Sequence, residues 1–226
     1  MVKIGHASID ERGKISGGVA GDQNGKEVCI RDWWSKPWTH VIRFKTPLMR
    51  VKVADCMIKA CNNRALGYDQ SQRNTLLNAC RNFGYDPSKV TIPCETDCSA
   101  LVTLCCLYAG IQEKSLVVNG NSATTSVLRK RLQATGAVDV FTGKEYTTRS
   151  DKLMRGDILL SEGHHVAIVV DVPQKTSASP TEPISVVALR VIEGDYGTGE
   201  KRRRRLLEAG YNPDEVQKEV NRLLKR

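Results

Sequence analysis

Glu95-Thr96-Asp97-Cys98-Ser99-Ala100-Leu101-Val102-Thr103-Leu104-Cys105-Cys106-Leu107-Tyr108-Ala109-Gly110 is the stretch whose reading decides the fold. Leu101, Val102, Cys105 and Tyr108 recur at helical spacing, and Gly110 ends the run. Thr96 or Asp97 is the expected cap, because a short side-chain oxygen accepts one of the backbone N–H groups that a helix start leaves free. Cys98 then stands in the first turn, where the macrodipole is positive. That position is expected to favour a thiolate, the nucleophilic form of cysteine, and to offer backbone N–H groups to an oxyanion. The alternative is a small apolar residue in a buried helix, as expected of Cys105 and Cys106.

Working outward, residues 1–53 read as strands and loops. Val2–Ser8, Val28–Ile30 and Val41–Phe44 are strand candidates. Gly17, Gly18, Gly21 and Gly25 form a glycine-rich loop, but no Lys-Ser/Thr helix start follows, which argues against a phosphate-binding loop. All three tryptophans fall within residues 33–38. They suit either a wrapped corner of the core or an aromatic wall beside a cleft. Two helices are expected between residues 54 and 84, and another over residues 126–135. Gly156-Asp157 reads as a turn into a strand. Ser161-Glu162-Gly163 reads as a hairpin turn, and His164–Asp171 as a central return strand covered on both faces.

The 226 residues carry a formal charge of +9 and eight cysteines. The cysteine spacing completes no zinc site, and a reduced, cytoplasmically made protein is expected. No signal peptide and no membrane-spanning run is present, so an extracellular target would require release through a partner pore or by lysis. The positive charge favours polyanions, whether nucleic acid, anionic lipid or wall polymer. Nucleic-acid motifs are lacking.

Asp97-Cys98-Ser99-x-Leu101-Val102, then Leu153-x-x-Gly156-Asp157-Ile158, then His164-His165-Val166-Ala167-Ile168 together resemble, in that order, the NlpC-type family of papain-like peptidoglycan hydrolases. Ala100 and Ala167 replace usual glycines. The resemblance implies an α+β catalytic domain with Cys98 as nucleophile and His165 as general base, and no metal or cofactor. Asp171 fails as the third member, since six strand residues span roughly 20 Å. Lys3-Ile4-Gly5-His6-Ala7-Ser8 resembles the family's last catalytic strand. That implies a circular permutation in which His6 orients His165 and favours its protonated form. Tyr68 and Tyr85 are both candidates to help Cys98 hold the oxyanion.

Residues 173–183 have linker composition. Three short helices are expected over residues 184–226, the last starting at Asn212-Pro213. Val191-Ile192, Gly194, Tyr196-Gly197, Gly199, Arg202, Ala209-Gly210-Tyr211 and Val216–Leu224 resemble the three-helix cell-wall-binding repeat of certain phage lysozymes. The resemblance implies a muropeptide partner, with Tyr196 and Arg202 as contacts. Ser185 stands where that repeat usually has an acidic residue. The expected organisation is therefore a catalytic domain over 1–172, a linker, and a wall-binding module, as in a phage endolysin. An inactive wall-binding protein and a basic RNA-binding protein are the competing expectations. The scissile bond, in the stem peptide or at the sugar–alanine link, stays open.

Overall fold

A computed structural model describes residues 1–10, 12–20, 26–35, 38–172 and 182–224. Most of the expected linker, Gly21 and Gly25 of the glycine-rich loop, and Lys36-Pro37 lie outside the described residues. The chain divides into two compact units, Met1–Val172 and Pro173–Arg226.

The first unit contains strands β1 (Lys3–Ala7), β2 (Val28–Asp32) and β3 (His40–Phe44), then helix α1 (Pro47–Cys61). Strand β4 (Leu66–Tyr68), helix α2 (Thr75–Cys80) and strand β5 (Cys94–Thr96) lead into α3 (Cys98–Tyr108). After it come α4 (Glu113–Leu116), β6 (Val117–Val118), β7 (Asn121–Ser122), α5 (Thr125–Ala134) and β8 (Val138–Phe141). The unit ends with α6 (Lys144–Thr147), β9 (Ile158–Ser161) and β10 (His165–Asp171). The architecture is mixed α+β, as the sequence leads one to expect. Six strands form one sheet in the order β2-β1-β10-β9-β3-β8, with β4 and β5 a separate parallel pair. Gly67 thus sits inside a short strand, within the 54–84 stretch for which the sequence suggested two helices.

The sheet has two apolar faces because strand side chains alternate. Ala7, Val166, Ile168 and Val170 join α1 and α3 in the larger core. Val2, Ile4, Leu159, Ala167 and Val169 pack with Trp38, Leu153 and, at the margin, Trp33 and Trp34. Strand β10 is therefore a central strand buried on both sides, which accounts for its unbroken apolar run.

Two glycines of the quoted motifs are fixed by geometry. A Cβ on Gly5 would stand 2.3 Å from Met57 Cγ, so a larger residue would force the Met57 side chain of α1 to shift. Gly156 has φ +87°, and a Cβ there would meet the Arg50 carbonyl oxygen. Asp157 beside it is fully buried and receives both Nε and a terminal nitrogen of Arg43 at 2.7 Å. Its carboxylate also accepts Met154 N–H at 2.8 Å. The Gly-Asp pair builds the turn that launches β9.

The second unit is a bundle of α7 (Ile184–Ile192), α8 (Gly199–Glu208) and α9 (Pro213–Leu224). Val187, Val191, Leu206, Tyr211, Val216 and Val220 form its core. Asn212 Oδ1 accepts Asp214 N–H at 3.0 Å and so caps α9. No described helix is long and apolar enough to cross a membrane.

Gly156→Ala should destabilise the first unit by more than about 1 kcal/mol, since it adds a backbone clash to a left-handed conformation. Thermal unfolding followed by circular dichroism measures it.

Candidate active site

Helix α3 starts at Cys98, and its cap is Asp97. The Asp97 carboxylate accepts Ala100 N–H at 2.7 Å and the Ser99 hydroxyl at 3.0 Å. Residues 98–107 are all buried, which suits a helix that is apolar on nearly every side. Asp97 is in turn gripped by Arg73, whose Nε and a terminal nitrogen reach its two oxygens at 2.5 and 3.2 Å. The same guanidinium donates to Ser99 Oγ at 2.7 Å and to the carbonyls of Ser122 and Ala123. Sequence reasoning missed Arg73. Its partner lies 24 residues away, so no helical or strand spacing signals the pair.

His165 opens β10, and His6 lies on β1 beside it. The β1–β10 ladder runs antiparallel from Lys3↔Asp171 to Gly5↔Ile168, which places His6 diagonally across from His165 on one face. His6 Nδ1 and His165 Nε2 are 2.9 Å apart. The tryptophan segment closes over this pair. Trp34 and Trp38 stack on the His165 ring at centroid distances of 6.4 and 6.0 Å, and Trp34 meets His6 edge-on at 5.6 Å. Trp38 is core, as the wrapped-corner reading expects, and Trp34 packs partly buried against the same cluster beside the histidines. His164 is exposed.

The backbone N–H groups of Ser99 and of Val166, the residue next to His165, act on the Cys98 thiol and partly oppose the rise in its pKa. Helix α3 belongs to the opposite face of the sheet from the imidazoles. The sulfur therefore meets β10 at its N-terminal end, just beyond the stretch where β1 pairs with it. Tyr68 is buried and electrostatically coupled to Cys98, with Gln70 Nε2 donating to its hydroxyl at 3.0 Å. Tyr85 is otherwise engaged, its hydroxyl donating to Glu113 at 2.5 Å.

The protonation states differ from the expectation of a standing thiolate and a favoured imidazolium. Burial, with the Asp97 charge adding to it, pushes the Cys98 thiol up to about 12. Burial, with the nearby Arg31 cation, lowers His165 to about 4. Burial, His165 and Arg31 lower His6 to about 3. In a low-dielectric pocket neither ion is favoured, so the resting pair is neutral thiol and neutral imidazole.

In the second unit the structure places Tyr196 in the core, 6% exposed, with the Arg190 guanidinium 5.5 Å from its ring centre. Arg202 is half-buried, its Nε donating to the Gly197 carbonyl at 3.0 Å and a terminal nitrogen to Gln217 at 3.2 Å.

Residues 4–176 match the endolysin-like domain family, and the chain belongs to it. Residues 186–224 match the CW_7 repeat, a cell-wall repeat. Together these make it a cell-wall-acting protein of endolysin type, with a repeat suited to peptidoglycan. No curated protein and no solved structure matches the chain.

The buried His6 and the half-buried His165 carry a pH dependence whose sign is fixed. Their folded pKa values lie below the ordinary 6.5, so between about pH 6.5 and 4 the unfolded chain takes up protons that the folded chain refuses. Stability should therefore fall as pH drops through that window, and melting temperature against pH should be flatter in His6→Gln. Arg73→Met strands the buried Asp97 charge and should cost about 3–5 kcal/mol in chemical denaturation.

Proposed function

We propose that residues 1–172 form a cysteine hydrolase that cleaves an amide bond of peptidoglycan. The single observation that carries this reading is the His6–His165 contact at 2.9 Å, with the backbone N–H of the next residue, Val166, acting on the Cys98 thiol. A cysteine at a helix start, an imidazole base and a second group on that base make up the parts of a thiol hydrolase.

In this reading His165 Nε2 donates its proton to His6 Nδ1, which leaves Nδ1 of His165 free as the base. His6 is a positioning residue. As the Cys98 sulfur attacks the carbonyl carbon, its proton passes to His165. The tetrahedral oxyanion is held by the Cys98 backbone N–H, with Tyr68 favoured over Tyr85 as the second donor. The C–N bond then breaks, His165 gives its proton to the leaving amine, and a thioester remains. Water, deprotonated by His165, attacks the thioester and releases the acid and the thiol. Because both partners rest neutral, proton transfer belongs to the attack step rather than preceding it.

The motif order supports an NlpC-type relation, and a histidine strand at the start of the chain, lying beside β10, supports a circular permutation. The repeat over residues 184–226 would hold the protein on muropeptide while the first unit works. With Tyr196 largely enclosed, Arg202 is the better placed of the two proposed contacts. Endopeptidase and amidase cleavage use the same thiol chemistry, so the bond is an experimental question.

Cys98→Ala should abolish release of fragments from purified peptidoglycan while leaving the circular dichroism spectrum unchanged. His6→Ala should lower turnover more than tenfold. Mass spectrometry of the digest identifies the bond, and a fully active Cys98→Ala protein would end this mechanism.

A further inference from the structure

Among the described residues, Arg31 is a charge beside the histidine pair that the chemistry above leaves unused. It lies on the edge strand β2, paired in register with Ile4, and so on the same face as His6. Its side chain is exposed, and its guanidinium carbon lies 5.1 Å from the centre of the Trp34 ring. That ring is the one that stacks on His165 and meets His6 edge-on. Among the described residues no carboxylate lies within ion-pair distance of Arg31. The neighbouring Asp32 is taken by Lys3 at 2.7 Å.

We propose that Arg31 is a specificity-determining residue that binds a free carboxylate of the peptidoglycan stem peptide next to the scissile amide; this rests on the hydrolase reading above. A guanidinium carbon 5.1 Å from an indole centre is attracted to the ring face, and an exposed guanidinium so placed can receive a carboxylate through two parallel hydrogen bonds. The surrounding charges give the contact a second effect. Arg31 repels positive charge on both imidazoles. Proton transfer from Cys98 creates such a charge on His165. A substrate carboxylate seated on Arg31 cancels much of that repulsion, so the correct substrate eases the step in which the imidazolium forms. An amidated stem offers no such cancellation. Recognition and reactivity are thereby tied to one ion pair.

The test uses the full chain carrying Cys98→Ala and soluble muropeptides in two forms, with stem carboxylates free or converted to carboxamides. All three tryptophans lie within residues 33–38, so intrinsic tryptophan emission reads occupancy of this site and not of the C-terminal bundle. The free-carboxylate form should bind at least tenfold more tightly. Arg31→Gln should reduce that preference to less than twofold, and Arg31→Lys should keep part of it. Equal affinity for the two forms, no binding of either, or a preference that survives in Arg31→Gln would overturn the proposal. So would an equal loss for both forms in Arg31→Gln and Arg31→Lys, which marks a structural role only. Fragment release by the protein with Cys98 intact is measured in parallel. Absent release with a preserved binding preference would remove the hydrolase reading and leave carboxylate recognition standing.

Discussion

The antiparallel ladder between β1 and β10 is the constraint on which the site depends. It joins residues 3–5 to residues 168–171 and thereby brings two histidines, 159 positions apart in the chain, into ring contact. Gly5 leaves room for Met57 of α1 against this ladder. The ladder ends near Gly5 and Ile168, short of the start of β10, where Val166 N–H acts on the Cys98 thiol. One strand pairing thus positions the imidazoles on one face and admits the thiol from the other.

Around this junction the electrostatics follow from exclusion of water. The tryptophans and the sheet remove solvent from both rings, and burial is the largest cause of each histidine's lowered pKa. On the other side Asp97 is indispensable as the cap of α3, yet its charge opposes a thiolate at Cys98. Arg73 offsets that conflict by pairing with Asp97 and at the same time tying α3 to the segment around Ser122 and Ala123. The helix start is held rigid without leaving a bare anion beside the sulfur.

Much of this was legible in the sequence because it is local. The α3 periodicity, the hairpin before β10, the Gly156-Asp157 turn and the Asn212-Pro213 helix start each follow from residues within a few positions of one another. The His6 strand was legible through its motif. What local pattern could not supply was anything set by distant partners. The Arg73–Asp97 pair, the stacking of Trp34 on His165 and the place of Arg31 all require the folded sheet. The protonation states were misjudged for the same reason. A helix N-terminus is visible in sequence, whereas the degree of burial that outweighs it is not. Tyr196 repeats the lesson, since a tyrosine between two helices reads equally as ligand contact or core, and the Arg190 guanidinium beside its ring is a tertiary fact.

The separation of β1 from β10 in the chain has a consequence for biosynthesis. During translation β1 can pair with β2 early, and α3 can form soon after residue 108 emerges. Strand β10 is the last element of its unit to be made, and only its docking joins the β2-β1 pair to the β9-β3-β8 part of the sheet. Such long-range pairing comes late in folding, since its loop-closure entropy is repaid only when the final strand docks. Cys98 and both imidazoles therefore come together only when the domain is nearly complete, and in the proposed mechanism a nascent or truncated chain ending before residue 165 would carry the thiol without its base.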